Sequence, residues 1–187
     1  MKTYISLFTI IIFISCSAPS NKQEPANTDA TSHASQSATS NTYLSRVFAQ
    51  GILDNTIQPS DNNETFACLD SIDDDNANTR QFYFQVYRVI AQKSDGALSE
   101  VVGSYTKSYM QLFPQEALNY YKTFDEKEKN LFIDNLAYEF YASGSDYEQD
   151  IQHYFSEIEK ICKECMTDNT MLDIKKQITA KAAAMNQ

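Results

Sequence analysis

Apolar positions recur at three- and four-residue steps through most of the chain after residue 43, the spacing of one face of an α-helix. Leu44, Val47, Phe48 and Ile52 give a short first helix over Tyr43 to Leu53. A turn-rich loop at Gln58 to Asn63 separates it from a brief second helix, Glu64 to Ile72, with Phe66, Leu69 and Ile72 inward. Asp73 to Asn78 breaks the pattern. Thr79 to Lys93 is the most apolar stretch. Phe82, Phe84 and Val86 also alternate as in a strand, but its length and the Asn78/Thr79 start predict a helix buried on most sides.

The remaining helices follow from caps and stops. Ser94 or Asp95 opens Gly96 to Phe113, whose stripe is Leu98, Val101, Val102, Tyr105, Tyr109 and Leu112. Pro114 ends that helix and starts the next, through Tyr121. Asp125 with Glu128 reads as a capping box, and the helix behind it buries Leu131, Phe132, Leu136, Phe140 and Tyr141 up to Gly144. Asp146 opens another, with Ile151, Tyr154, Phe155, Ile158, Ile161 and Cys162 inward. Asp168 caps the last, along Leu172, Lys175, Ile178 and Ala182. The expectation is an all-α domain over residues 43–187, an irregular bundle of antiparallel helical hairpins with six to eight helices.

The first 42 residues follow other rules. Lys2 precedes an uncharged run from Tyr4 to Ile14, long enough for a secretory signal and too short to cross a bilayer as a helix. Phe13-Ile14-Ser15-Cys16 then resembles the lipobox of bacterial lipoproteins, with Phe13 where Leu, Val or Ile is commoner. The resemblance implies cleavage after Ser15 and acylation of Cys16; a lipid anchor of two or three chains holds stably, at about 0.8 kcal/mol per buried CH₂. Ser17 in place of Asp implies sorting to the outer membrane of a cell that has one. It implies nothing about the domain behind.

Residues 17–42 contain no aliphatic residue larger than Ala apart from prolines, and no aromatic or Cys. Such a stretch cannot offset its own ordering entropy and is expected to be a disordered tether with a reach of about 28 Å. The chain therefore divides into a signal peptide (1–15), a lipidated Cys16 with its tether (16–42) and the helical domain.

Charge narrows the partners. The formal charge is −10, and loss of the leader removes Lys2 and no acid. Nucleic acid and anionic headgroups both need a basic patch and are disfavoured. Twelve Tyr and 11 Phe with no Trp point to an aromatic core. The pairs Tyr105/Tyr109 and Tyr120/Tyr121 also suit peptide or glycan contacts.

Motifs for chemistry are few. Asp73-Asp74-Asp75-Asn76 suggests a calcium loop, but positions six and twelve are Asn78 and Phe84 where Gly and Glu are needed. Cys162-Lys163-Glu164-Cys165 has redox spacing, yet falls near the end of an amphipathic helix, away from any strand. Zinc would need two further ligands. His153 lies roughly 13 Å along the helix from Cys162, too far to share a metal. A structural disulfide between Cys68 and either Cys162 or Cys165 is expected instead, with free buried thiols as the alternative.

No nucleophile elbow, phosphate-binding Gly-rich loop or His-Glu-x-x-His helix is present. No metal or cofactor is implied beyond the covalent lipid. Asn63-Glu64-Thr65 fits a glycosylation sequon, and Asp70-Ser71-Ile72 resembles a short acceptor signal for bacterial O-glycosylation. The expectation is an exported, membrane-anchored lipoprotein whose helical domain binds another envelope protein. An immunity-like protein that plugs a basic toxin's cleft is one form of it. The competing reading is an envelope enzyme cutting cell-wall glycan with paired carboxylates, one of raised pKa in a deep pocket.

Overall fold

A computed structural model describes residues 45–144 and 146–186. The expected signal peptide, Cys16 and the tether lie outside the described residues. Within them the domain is all-α, with no strand. Helix α1 covers residues 45–53; α2 is Asn63–Asp70, followed by a 3₁₀ turn, Ser71–Asp73. Then come α3 (Ala77–Lys93), α4 (Gly96–Leu112), α5 (Pro114–Tyr121), α6 (Glu126–Ala142) and α7 (Tyr147–Ile161). A second 3₁₀ turn, Cys165–Thr167, leads into α8 (Asn169–Met185).

Capping side chains set most of the starts. The Asp125/Glu128 capping box forms in both directions, and Asp146 and Asp168 accept from the first-turn amides of α7 and α8. Helix α3 starts two residues before the expected Thr79, because Asn76 accepts from the backbone N–H groups of Asn78 and Thr79.

Helices α4 and α6 form the middle of the bundle. Helix α6 lies between α4 and α8; α4 also meets α5 and α7, and α3 touches α6 while α2 packs on α3. Gly103 explains how closely α4 and α6 approach. A Cβ there would stand 2.8 Å from the Asn135 carbonyl oxygen and 2.7 Å from Glu139 Oε1. A mid-helix glycine costs about 1 kcal/mol relative to Ala, so close packing is its compensation.

The core is aromatic as expected. Phe84 stacks on Tyr109 at 4.6 Å and on Tyr120 at 4.2 Å, with Phe124 and Phe132 extending the cluster. Thr106 donates to the Val102 carbonyl, so Tyr87, whose oxygen lies 2.6 Å from Thr106 Oγ1, supplies the proton of that contact. Some stripes are rotated from those read in the sequence. Leu112, Tyr141, Ile161 and Leu172 are exposed. Helix α8 buries Met171 and Ile174 in place of Leu172 and Lys175, while Ile178 and Ala182 are buried as expected.

The cysteines pair differently from the expected bridge. Cys162 and Cys165 are joined to each other, their Cα atoms 5.3 Å apart, and Cys68 is a free, buried thiol. Topology is the reason. Cys68 sits in α2, which packs on α3 and α4, whereas the Cys165 turn packs on α5, α7 and α8. The bridge therefore fastens the end of α7 to the turn before α8.

Candidate interaction surface

One buried cation organises the most elaborate polar surface of the domain. Arg80 lies on the same stripe of α3 as Phe84, Tyr87 and Ala91, and is 6% exposed. A buried guanidinium has to be paired and fully hydrogen-bonded. Its Nε and Nη2 donate to the Glu116 carboxylate of α5 at 3.3 and 2.5 Å. Its Nη1 donates to the backbone carbonyls of Asp74 and Asp75, both at 2.8 Å. The guanidinium carbon stands 3.8 Å from the centre of the Phe113 ring. Tyr109 donates to Glu116 Oε2 at 3.1 Å.

The loop so gripped is the acidic run. Ile72, fully buried, pins its 3₁₀ turn to the core. Each carboxylate then has its own place. Asp70 accepts from Tyr105 at 2.7 Å, Asp73 from Ser108 at 2.6 Å, and Asp74 from the Asn76 backbone at 2.7 Å. Asp75 is exposed. With the Asp74 and Asp75 carbonyls turned to Arg80, this is an ordered acidic edge and not a cation-wrapping loop.

Electrostatics follow from these contacts. The hydrogen bond from Arg80 holds the Glu116 carboxyl below the usual carboxylate range. Burial pushes Asp73 up, Ser108 opposes it, and the neighbouring Asp70 adds to the rise. Burial, with Asp70 and Asp73 nearby, lifts Tyr105 to about 12. One oxygen of Asp73 is buried without a hydrogen-bond partner.

Beside this edge, α3 and α5 enclose a groove of about 380 Å³. Ala77, Asn78 and Gln81 line one side; Glu116, Asn119, Tyr120 and Thr123 line the other. Its one carboxylate is already neutralised by Arg80. A second groove of about 510 Å³, between the starts of α6 and α8, is polar. It holds Glu126 and Asp173, both exposed; Glu126 bonds to Lys129 and Asp173 to Gln177. A third groove, about 560 Å³, is mainly apolar and runs between α1 and α2 past Val47, Phe48, Ile57 and Ala67.

The other sequence candidates are placed as follows. His153 is exposed on α7, 3.8 Å from Glu157. Gln115 Oε1 lies 3.5 Å from Cys165 Sγ, and both bridged cysteines are buried. In the sequon, Thr65 is fully buried and its hydroxyl accepts from Ser60 N. In the acceptor-like triplet, Ser71 donates to the Ala67 carbonyl and Ile72 is core. Tyr105 and Tyr109 both serve the acidic edge; Tyr120 lines the groove and Tyr121 is buried. Sequence reasoning missed Arg80 and Glu116. A cation on an otherwise apolar stripe was the available signal for the first.

No family model matches the chain, and neither a curated protein nor a solved structure does.

Proposed function

We propose that this chain is a lipid-anchored protein of the bacterial envelope, sorted to the outer membrane, whose helical domain is a binding module for another envelope protein. The observation that carries the reading is the use of Arg80. One buried cation is committed to holding the backbone of Asp74 and Asp75, so that the carboxylates of Asp70, Asp74 and Asp75 are exposed next to a groove while Asp73 turns partly inward. Ordering these groups in the free protein lowers the entropy cost of docking. An acidic edge steers a basic partner and rejects an acidic one. An immunity-like role is one form of this reading, its partner a basic toxin.

The leader residues Phe13 to Cys16 support the anchoring half of the proposal, and the acidic charge balance supports the partner half. The test is in-cell photocrosslinking from position 75, with position 160 on α7 as control. A discrete adduct from position 75, lost in a D70K/D74K variant, is the expected result. Equal adducts from both positions, or none from either, would reject the binding role.

A further inference from the structure

We infer that the groove between α3 and α5 takes an extended peptide segment of the partner, held mainly through its backbone. The inference rests on the binding-module reading and specifies where and how that module grips.

A peptide group presents one donor and one acceptor, and a carboxamide presents both kinds in the same plane. Three carboxamides face this groove: Asn78 and Gln81, three residues apart on α3, and Asn119 on α5. Asn119 Oδ1 accepts from Gln115 at 3.1 Å, which fixes the amide and leaves its N–H donors for a ligand. Thr123 adds a hydroxyl. Tyr120 forms the wall, rigid because its ring stacks on Phe84 at 4.2 Å. A rigid aromatic wall suits a peptide, since little side-chain freedom is lost there on binding.

Charge and size agree. The Arg80–Glu116 pair makes the groove neutral, so neither an anion nor a lone cation is favoured there. From Glu116 to Thr123 the α5 side runs roughly 10 Å, the length of about three residues of extended chain. The 380 Å³ volume is of the same order as such a segment. The acidic edge lies at the end where α3 begins, so the partner's basic residues would flank the segment rather than fill it.

The test uses the purified full-length protein in detergent, selected against a phage-displayed library of random twelve-residue peptides. Enriched peptides are labelled and titrated by fluorescence anisotropy against wild type, Q81A, N119A and a K160A control. A neutral hydrogen bond contributes about fivefold in affinity. Q81A and N119A should therefore each weaken binding by about fivefold, and K160A should not change it. N-methylation of one central peptide amide should weaken binding by tenfold or more. The isosteric Q81E and N119D variants, with thermal melts matching wild type, should repeat the loss and exclude a folding defect. No enrichment over a detergent-only selection, undiminished binding to Q81A and N119A, or displacement of the peptides by an N-acetylated disaccharide would overturn the inference. If position 75 still crosslinks a partner in cells, that failure leaves the binding role standing; if it does not, both fall.

Discussion

Arg80 and Glu116 meet at 2.5 Å between α3 and α5, and the far side of the same guanidinium holds the carbonyls of Asp74 and Asp75. The pair thus couples the position of α5 to the shape of the acidic edge. Removing one partner leaves the other uncompensated. For E116Q the expected loss is about 2 kcal/mol by urea unfolding, below the range for fully buried pairs because Glu116 is about a third exposed.

The same pair sets a pH dependence. Glu116 holds its proton less tightly in the folded state than in the unfolded chain. Its contribution is therefore complete above the ordinary carboxylate range and is lost as pH falls through the lowered value. The stability gap between wild type and E116Q should stay constant from about pH 6 to 8 and close only as the solution is acidified below the ordinary carboxylate range, through the lowered value. Urea midpoints at a series of pH values measure it. A gap that widened on acidification would contradict the assigned pairing.

Gly103 offers a test of packing. In G103A the new methyl meets the Asn135 carbonyl, backbone that cannot swing aside, as well as the more yielding Glu139 side chain. Helices α4 and α6 must separate. Overpacking of this kind costs about 1 to 3 kcal/mol, while helix propensity alone would have given a gain of up to about 1 kcal/mol. Thermal unfolding decides the sign.

The thiols provide a fourth check. Mass spectrometry after non-reducing digestion should find Cys162 and Cys165 bridged to each other and Cys68 unpaired. Burial lifts the Cys68 thiol to about 11, so it should resist alkylation at pH 8 until the protein is denatured. The C162S/C165S variant should lose about 2 kcal/mol, the ring-closure contribution of a four-residue loop. A peptide linking Cys68 to either partner would contradict the fold around α2.

Three of the helix starts were legible in the sequence because a cap acts within three residues. Asp125, Asp146 and Asp168 each bond where their spacing said they would. Faces were less legible. At the start of α8 Met171 and Leu172 are adjacent apolar residues that begin competing rows, and the presence of Lys175 in the chosen row was the warning. The disulfide was missed because sequence spacing does not say that α2 packs away from the α7–α8 turn. Arg80 was missed, since its partner lies 36 residues away and pairing at that distance is decided by the fold.

Acylation of Cys16 is the central proposal, and labelling with an alkyne-tagged fatty acid tests it directly. Wild type should take up the label and pellet with the outer membrane, while C16A should take up none and be released as a folded, helical protein. Labelling that persists in C16A, or an intact unlabelled leader on a cytosolic wild-type protein, would contradict it.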